Sequence, residues 1–553
     1  MHRLPPRTCQ FSAIAALFIG SGFAPALEVV RGPYLQTATP TSIIIRWRTD
    51  EPTESLIHYG LVPTNLHSIA GDLGLTTEHI VEIAGLNPDT RYYYSVGDLD
   101  EELIWGPEYH FFTHPVPGTV KPTRIWAIGD CGTFNTGAGN SAGVRDAYYA
   151  FAGTRRTNVW LPLGDNAYYS GTDAEYQANF FNVYADLMRK TVLWSTIGNH
   201  ETYSPVEGAQ LPYFNMFSFP RYGEAGGVAS GTEKYYSFDY ADIHFVCLDS
   251  ELSDRSPDGA MLTWLKADLE ANTSDWLIAY WHSPPYSKGS HDSDNLLDNF
   301  GNMTDMRANA VRLLESYGVD LVLCGHSHNY ERSFLINGHY GFSDSLTAAM
   351  VKDAGSGRTD DTGAYIKPLS GPAPNQGAVY VVAGCAGWAT FRTGHHPIMF
   401  LDELQVGSMV IDINGKRLDA RFLRETGAID DYFTILKGVA PESLRICTFT
   451  MQDGEVVVRW KSIAGENYRV QHATNMENPV WTDASEVITA TGATSTWTTP
   501  VPAGEEQRFY RVVQLAPPAP VAPMLATTST AALKSSPLRK VKRAMRSETR
   551  RRR

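Results

Sequence analysis

Apolar and polar positions alternate with a period of two near both ends of the chain. Between residues 28 and 114, short segments such as "TSIIIRWRTD", "EHIVEIAGL" and "TRYYYSVGD" are separated by turn residues, which is typical of a β-sandwich. From about residue 440 similar segments return, among them "EVVVRWKSI" and "QRFYRVVQL". We therefore expect one β-sandwich over residues 27–116 and a second, smaller one over residues 440–515.

The pattern changes in the middle of the chain, where apolar strands alternate with helical stretches. "AEYQANFFNVYADLMRK", "GAMLTWLKADLEAN" and "DMRANAVRLLESYG" have the spacing of apolar residues that an amphipathic helix requires. The alternation of strands and helices indicates β-α units and a largely parallel core. We place this α/β domain at residues 120–437, after the proline-rich linker "HPVPGTVKP".

Five apolar strands of the α/β region give way to glycine or a small loop that carries oxygen or imidazole groups. They are "TRIWAIGDCG", "NVWLPLGDNAYY", "VLWSTIGNHE", "WLIAYWHSPPY" and "VDLVLCGHSHNYER". Ligands of open α/β folds bind at the carboxyl ends of strands, so we interpret the five ends as one converging site. Its metal-competent residues are Asp130, Asp165, Tyr168, Asn199, His282, His326 and His328.

These residue types limit the metals that the site can hold. Carboxylate, phenolate, amide oxygen and imidazole are hard to borderline ligands, which suit iron, zinc, manganese or magnesium. Seven candidates are too many for one tetrahedral zinc ion, but with one shared carboxylate they give four protein ligands to each of two metals. The sequence therefore predicts a dinuclear centre with room for water and substrate.

The five strand ends resemble the signature blocks of purple acid phosphatases, a family of the calcineurin-like metallophosphoesterase superfamily. "GDCG", "GDNAY", "GNHE", the single histidine of "WHSPPY" and "GHSH" occur in the family's order. The domain that precedes these blocks, residues 27–116, resembles a fibronectin type III domain, as in plant-type members of the family. The resemblance implies a central metallophosphoesterase domain with two packed mixed sheets flanked by helices. The whole chain is then multidomain, α/β plus all-β.

The resemblance also implies a role for each candidate ligand. The seven residues divide into an iron(III) set and a set for a divalent metal, zinc, iron or manganese, and the two sets share Asp165 as a bridge. The iron(III) set adds Asp130, Tyr168 and His328, and the divalent set adds Asn199, His282 and His326. Tyr168 is the most discriminating residue, because related phosphodiesterases and protein phosphatases usually lack this phenolate.

Two further histidines are implied to act on the substrate. His200 follows Asn199 directly, and its equivalent in the family contacts the phosphate and protonates the leaving oxygen. His291 lies nine residues after His282 and resembles a further substrate histidine. Plant-type members often have a second histidine next, whereas this chain has Asp292, so substrate preference and pH optimum stay open.

Four other polar residues are not expected to bind metal or substrate directly. We expect Glu201 and Glu331, which flank candidate ligands, to orient them. His395 and His396 match no block, and we expect them to lie in a loop without a role in the site.

The expected function is that of a secreted, purple acid phosphatase-like metallohydrolase. The resemblance implies that a metal-bound hydroxide hydrolyses a small-molecule phosphate monoester. A phosphodiesterase of the same superfamily is the first alternative. An alternative of another class is a surface-binding or adhesion protein whose metal site is inert, since two β-sandwiches and a basic tail suit such a protein.

The charge of the chain argues against nucleic acid as a specific partner, because the net charge is −14. The last 20 residues are strongly basic, unlike the chain as a whole, since they hold ten Lys or Arg and one Glu. We expect residues 516–553 to form a proline-rich and then basic disordered tail, which leaves a contact with an anionic surface open. The oligomeric state is also left open.

The first residues have the layout of a secretory signal. Arg3 and Arg7 precede the apolar stretch Phe11–Phe23, and small residues follow it. This layout predicts a signal peptide over residues 1–26 and a secreted or periplasmic protein, with an uncleaved anchor as the alternative. No later segment has 18 apolar residues in a row, so no transmembrane segment is expected. The five remaining cysteines are expected to be mostly small core residues.

Overall fold

The computed structural model describes most of the chain in two compact units. The described residues are 27–133, 140–206, 208, 210–438, 446–452, 454–462, 467–475, 479–492, 494–501 and 507–515. One unit comprises Met1–Ala464 with Ala490–Val501, and the other comprises Gly465–Thr489 with Pro502–Arg553. The predicted signal peptide and the predicted basic tail lie outside the described residues.

The N-terminal domain is the fibronectin-like β-sandwich that the alternating pattern predicts. Its strands are β1 Val29–Ala38, β2 Ser42–Gly60, β3 Ser68–Ala84, β4 Arg91–Gly97, β5 Glu102–Ile104 and β6 His110–Phe112. The first half of β2 pairs with β1 and its second half pairs with β4, so β2 joins β1 to β4 through backbone hydrogen bonds. Every second side chain of the first half, at Ile43, Ile45 and Trp47, is fully buried.

The central region contains fifteen strands, most of which lie in two sheets. In chain order they are β7 Thr123–Ile128, β8 Val159–Pro162, β9 Tyr236–Tyr240, β10 Ile243–Cys247, β11 Trp276–Trp281, β12 Leu321–Cys324, β13 Tyr330–Ser333, β14 Leu335–Ile336, β15 Val351–Asp353, β16 Tyr365–Lys367, β17 Val379–Ala383, β18 Met399–Glu403, β19 Gly407–Asn414, β20 Arg417–Arg424 and β21 Ile429–Lys437. One sheet has the order β16-β21-β20-β19-β7-β8, and the other has the order β18-β13-β17-β12-β11-β10-β9. Strands β14 and β15 form a separate pair.

Both large sheets are mixed, as the family resemblance implies. The parallel pairs are β7–β8, β10–β11, β11–β12, β12–β17 and β16–β21. The strand–helix alternation by itself predicted a largely parallel core, and this expectation misses the antiparallel pairs β9–β10, β13–β17, β13–β18, β7–β19, β19–β20 and β20–β21. A turn of only two residues, Gly415 and Lys416, joins β19 to β20, and so short a connection makes neighbouring strands antiparallel.

The three predicted helical stretches are confirmed. The α-helices are α1 Ser141–Ala152, α2 Asp173–Tyr176, α3 Asn182–Met188, α4 Pro212–Met216, α5 Ala260–Ala271, α6 Asn302–Asp305 and α7 Arg312–Ser316. π-Helical segments, Gln177–Phe181 and Met306–Val311, join α2 to α3 and α6 to α7. The 3₁₀ turns are His200–Tyr203, Asp298–Gly301, Ser343–Ser345 and Ala348–Met350. Within the described part of the chain, no helix is long and apolar enough to cross a membrane.

The strands predicted near the end of the chain are confirmed, whereas the boundaries of a domain at 440–515 stay a prediction. In chain order these strands are β22 Ile446–Gln452, β23 Glu455–Lys461, β24 Asn467–Ala473, β25 Thr482–Asp483, β26 Ile488–Thr489, β27 Thr494–Pro500 and β28 Phe509–Gln514. In the first unit, β22, β23 and β27 form one sheet. In the second unit, β24 pairs with β25, β26 and β28.

The two central sheets approach each other closely where β7 and β12 end. The Gly129 amide, just after β7, donates to the Ala383 carbonyl at 3.1 Å, although the two residues belong to different sheets. A Cβ atom on Gly129 would lie 3.1 Å from the Cα atom of Gly325. Glycine at both positions therefore lets the carboxyl ends of strands from the two sheets meet at one place.

Candidate metal centre

Three of the predicted ligands lie in the turn that follows a buried strand. Asp130, Asp165 and His326 follow β7, β8 and β12, and each has a left-handed backbone, with φ of 56°, 52° and 66°. This conformation is uncommon for residues with a side chain and is concentrated at functional sites. Glycine directly precedes each of the three residues and relieves crowding at the turn.

The first group of predicted ligands surrounds the Tyr168 hydroxyl. Its oxygen lies 2.9 Å from Asp130 Oδ1 and 2.8 Å from Asp165 Oδ2, and its single proton is shared between these two acceptors. His328 Nε2 lies 3.3 Å from both the Tyr168 oxygen and Asp130 Oδ1. Burial, followed by the charges of Asp130 and Asp165, raises the pKa of Tyr168 well above its usual value. The two carboxylates oppose ionisation of the phenol unless a cation lies among these atoms.

The second group surrounds the side-chain oxygen of Asn199. Asn199 Oδ1 lies 3.0 Å from His282 Nε2 and 2.9 Å from His326 Nδ1. His282 Nε2 also lies 3.4 Å from Asp165 Oδ1. Asp165 thus presents Oδ2 to the first group and Oδ1 to the second, so its carboxylate lies between them.

The hydrogen bonds around His282 leave acceptor atoms facing each other. His282 Nδ1 donates to the Leu163 carbonyl at 2.8 Å, so in the neutral ring Nε2 has a lone pair directed at Asn199 and Asp165. Asn199 Nδ2 donates to the Tyr203 hydroxyl, which turns Oδ1 toward the imidazoles. Such acceptors stay together when a proton or a cation lies between them, and a carbonyl bond on the far nitrogen is typical of metal-bound histidine.

The protonation behaviour of the two histidines differs. Burial lowers the pKa of His282, but the adjacent Asp165 carboxylate reverses this effect and raises it well above the usual value. Burial, with the charges of His291 and His282, lowers the pKa of His326 well below its usual value. The neutral ring of His326 is the form that binds metals, and its buried Nε2 has no hydrogen-bond partner among the described residues. Together, the two groups fit a pair of cations.

The two predicted substrate histidines lie at the more open side of the same cluster. The His200 amide donates to Asp165 Oδ1 at 2.9 Å, and His200 Nδ1 donates to the Tyr169 carbonyl at 2.7 Å. The His291 ring stacks on the His326 ring with 3.9 Å between centroids. The side chains of His200 and His291 are 25% and 32% exposed, whereas Asp165 is buried. The structure therefore brings all nine predicted residues together.

Glu201 holds the turn of Asp165. Its carboxylate accepts the backbone amides of Asp165 at 3.0 Å, Asn166 at 2.6 Å and Gly198 at 2.8 Å, as well as the Tyr176 hydroxyl. Burial and then the neighbouring Asp165 raise the pKa of Glu201 to about 7. The geometry agrees with the orienting role expected for this residue.

Glu331 contacts a loop instead of a predicted ligand. It accepts the Lys288 amide at 3.0 Å and the Ser287 hydroxyl at 2.5 Å. Because these residues precede His291, Glu331 supports the segment on which the substrate-side histidine lies.

Two further residues, Trp388 and Asp298, contact the cluster and were not predicted from the sequence. The Trp388 ring lies 4.8 Å from the Tyr168 ring and 4.6 Å from the His328 ring. It follows β17 in "VYVVAGCAGWA", where an apolar strand again ends at glycine, but it carries no ligating group to draw attention. Asp298 accepts a hydrogen bond from His291 Nδ1, and no motif marks it.

The remaining histidine pair lies in a segment without helix or strand, as expected. His395 is exposed and pairs with Asp402. His396 is buried, and its Nδ1 accepts from the Ile398 amide at 3.4 Å.

Comparison with known proteins gives matches over both the N-terminal and the central domain. The family model of the calcineurin-like phosphoesterases matches residues 123–330, and that of the purple acid phosphatase N-terminal domain matches residues 32–113. Purple acid phosphatase 15 of Arabidopsis thaliana is 30% identical over 392 residues, which are 65% of this chain and 69% of that relative. Purple acid phosphatase 1 of Ipomoea batatas is 29% identical over 264 residues, 46% of this chain and 51% of that relative.

Two solved structures share the fold. Purple acid phosphatase PPD1 from yellow lupin (Lupinus luteus) seeds superposes with a TM-score of 0.57 at 18% identity, covering 74% of this chain and 75% of that one. The structure of PhoD superposes with a TM-score of 0.52 at 15% identity, covering 77% and 93%. At these identities the structural likeness supports the fold alone, and the sequence relatives carry the family assignment. The chain belongs to the purple acid phosphatase family, whose members are acid phosphatase hydrolases.

Proposed function

We propose that this metallophosphoesterase hydrolyses phosphate monoesters at a dinuclear centre of iron(III) and a divalent metal, zinc, iron or manganese. The observation that carries the proposal is the position of Asp165, whose two carboxylate oxygens each face a separate group of donor atoms. One group would hold iron(III) and the other the divalent metal. The proposed ligands are Asp130, Asp165, Tyr168 and His328 for iron(III), and Asp165, Asn199, His282 and His326 for the divalent metal.

The choice of iron(III) rests on Tyr168. A phenol buried between two carboxylates keeps its proton until a strongly charged cation replaces it, and phenolate is a hard ligand that suits a trivalent ion. When bound, the two metals would neutralise phosphate charge and lower the pKa of water in the site. The chain's own contribution is to fix the ligand atoms and to supply the groups that act on the ester.

His200 is proposed to protonate the leaving alcohol oxygen. Its Nδ1 is held by the Tyr169 carbonyl, which directs Nε2 toward the cluster, where it lies 3.9 Å from Asp165 Oδ2. A histidine in contact with both solvent and the site can take up a proton and deliver it to the departing oxygen. The partial exposure of His200 suits this exchange.

His291 is proposed to contact the phosphate group of the substrate. Its ring stacks on that of the proposed ligand His326 and is partly exposed, so it lies beside the metal centre without being enclosed by it. Asp292, which stands where plant-type relatives often have a histidine, pairs instead with Lys288. The phosphate contacts on this side therefore fall to His291.

We also propose that the protein is secreted or periplasmic. Support comes from the sequence of residues 1–26, in which two arginines precede an apolar stretch and small residues follow.

Metal analysis combined with a visible absorption spectrum tests the proposed centre. We expect one iron and one divalent metal per chain and a charge-transfer band that Tyr168→Phe abolishes. The matched control is Tyr222→Phe, which makes the same change at an exposed position outside the site and should keep the band. A colourless, iron-free and fully active protein would contradict the iron(III) assignment.

Assays on two substrate classes separate the monoesterase from its alternatives. A monoester and a diester of the same chromogenic alcohol differ only in the phosphate charge and its substituent. We expect faster hydrolysis of the monoester. Faster hydrolysis of the diester would favour a phosphodiesterase, and no hydrolysis of either by the metal-loaded protein would favour a binding protein with an inert site.

A further inference from the structure

The substrate-side histidine forms a pair with a carboxylate that lies outside the family motifs. His291 Nδ1 donates to Asp298 Oδ1 at 2.8 Å. The Asp298 side chain is 19% exposed and that of His291 32%, so the bond is partly shielded from water. One face of the His291 ring stacks on the His326 ring, with an angle of 24° between the two rings. The ring is therefore oriented by one hydrogen bond and one ring contact.

The second oxygen of Asp298 is also used. Oδ2 accepts the backbone amide of Asp292 at 2.8 Å. One carboxylate therefore bonds both the side chain of His291 and the next amide of the chain. Burial by itself raises the pKa of Asp298, but the bonds from His291 and the Asp292 amide lower it below the usual value, so the carboxylate is ionised.

The turn that carries Asp298 is anchored to the segment of a proposed ligand. Asn299 Nδ2 donates to the Ser283 hydroxyl at 2.6 Å and to Glu251 at 3.3 Å, and Ser283 follows His282 directly. Asn302 Nδ2 donates to the same Glu251 oxygen at 3.2 Å. Asn299 has a φ of 44°, a left-handed backbone that is uncommon outside glycine. These contacts hold the Asp298 carboxylate in a defined place relative to the centre.

We propose that Asp298 is a positioning residue that fixes the orientation and tautomer of His291 for contact with the substrate phosphate. An ionised carboxylate only accepts hydrogen bonds, so Nδ1 carries the proton and Nε2 is the ring atom left for the substrate. Carboxylates bonded to the far nitrogen of a functional histidine commonly set its tautomer in this way. The inference rests on the proposed function, and it assigns Asp298 an effect that acts only through His291.

A rival explanation is that Asp298 binds a metal ion itself. Donor atoms of His291, Asp298 and His326 lie within 4.8 Å of one another, which is close enough for a shared cation. The two explanations differ in metal content. Removal of a metal ligand lowers the metal bound per chain, whereas removal of a positioning residue leaves it unchanged.

The test uses Asp298→Asn in the full-length, metal-loaded protein. Asparagine keeps the shape but offers one acceptor oxygen in place of two, so either His291 or the Asp292 amide loses its partner. We expect kcat/KM for a chromogenic monoester to fall about 10- to 100-fold, as for other groups that orient a functional histidine. The larger part should appear in KM, with a parallel rise in the inhibition constant of inorganic phosphate, because His291 binds the phosphate.

A double-mutant cycle identifies the route of the effect. In a His291→Ala background, Asp298→Asn should cause no further loss, because the residue through which Asp298 acts is absent. Losses that multiply, an Asp298→Asn protein equal to the wild type, or the loss of one metal equivalent would each overturn the proposal. A loss confined to kcat with KM unchanged would also overturn it, since that result indicates a smaller fraction of correctly folded protein.

Two further variants guard against a general folding defect. Asp305→Asn makes the same chemical change at an exposed carboxylate nearby and should leave KM and the melting temperature unchanged. Asp298→Glu keeps two acceptor oxygens and should retain more activity than Asp298→Asn, whereas a residue that merely fills space would tolerate the longer side chain no better. If the wild type proves inactive on every ester, the proposed function fails. Direct binding of inorganic phosphate to the wild type, Asp298→Asn and His291→Ala then still decides the positioning role.

Discussion

Two buried clusters of histidine and carboxylate in the central domain differ in how their hydrogen bonds are completed. In strand β10, His244 donates from Nδ1 to Asp239 at 2.7 Å and from Nε2 to Asp268 at 2.9 Å, so both nitrogens have a carboxylate partner. At the metal centre, His282 has one nitrogen on a backbone carbonyl and directs the other at Asn199 and Asp165.

The remaining contacts strengthen this contrast. Asp268 also accepts the Val228 amide and the Ser237 hydroxyl, each at 2.7 Å, so acceptors and donors match around His244. At the candidate metal centre, Nε2 of the neutral His282 ring instead faces Asn199 Oδ1 and Asp165 Oδ1, which are both acceptors. Converging acceptor atoms therefore separate the candidate metal site from the structural ion pair in this protein, whereas the presence of histidine and aspartate does not.

The largest effect should come from removing the shared carboxylate with Asp165→Ala. Because each oxygen of Asp165 faces one group of ligands, we expect the loss of both metals and of measurable phosphatase activity. Metal analysis and a monoesterase assay check this. Asp186→Ala, at an exposed aspartate, is the matched control and should keep both metals. An Asp165→Ala protein that retains both metals would contradict the proposal that the two metals share this carboxylate.

The next largest effect should separate the residues that hold the metals from those that act on the ester. For His200→Ala we expect kcat to fall by about 10²- to 10⁴-fold, the usual contribution of a positioned acid or base, with metal content unchanged. His395→Ala, at an exposed histidine, serves as the control. Retention of full turnover would show that the protonation of the leaving group does not depend on His200 and would support a differently organised active site.

The structural cluster should respond in stability and not in activity. Asp268→Ala leaves the His244 charge with one carboxylate and removes the partner of two other donors, so we expect a loss of about 3–5 kcal/mol in the free energy of unfolding. Urea denaturation measures it, with Glu270→Ala, at an exposed position on the same helix, expected to change it by less than about 1 kcal/mol. Loss of bound metal from the folded variant would contradict the separation of the two clusters.

The smallest effect is a pH dependence of stability that belongs to His244. Burial lowers its pKa, but the bonds to Asp239 and Asp268 outweigh burial and raise it to about 9. The pKa of His244 in the folded protein exceeds its ordinary value of about 6.5. Protonated His244 therefore stabilises the folded state fully below about pH 6.5, and this contribution is lost as the pH rises through about 9. Between pH 7 and pH 10 we expect a loss of roughly 2–3 kcal/mol.

The variant His244→Gln isolates the contribution of His244 to the pH dependence of stability. Its free energy of unfolding, measured by urea denaturation at both pH values, should lack the part of the pH dependence that the imidazole supplies. Equal pH dependence in the wild type and in His244→Gln would rule out a charged His244 in the folded protein.

Much of the proposed metal centre could be predicted from the sequence because its signals are local. Each of Asp130, Asp165 and His326 follows an apolar run and a glycine, so a strand, a turn and a proposed ligand lie in consecutive residues. The helices could be predicted for the same reason, since a periodicity of 3.6 residues is a property of one segment. The antiparallel pairing of β19 with β20 across the two-residue turn at Gly415 was not predicted, because two strands without a helix between them interrupt the dominant pattern.

Residues that act through a neighbour could not be predicted in this way. Asp298 is one of many aspartates in polar loops, and only its contact with His291 distinguishes it. Trp388 likewise gains its place beside Tyr168 and His328 from the packing of β17 between β12 and β13. Contacts of this kind join positions far apart in the chain and leave no spacing or periodicity to recognise.

Local patterns were enough to predict which strands end in metal-competent side chains, because hydrophobic runs and turn residues act over a few positions. The place of Asp165 between two groups of proposed ligands and the pairing of both His244 nitrogens with carboxylates follow only from the folded chain. The physical reason is that the availability of a polar group depends on which donors and acceptors surround it in space, and burial makes every unmatched group costly.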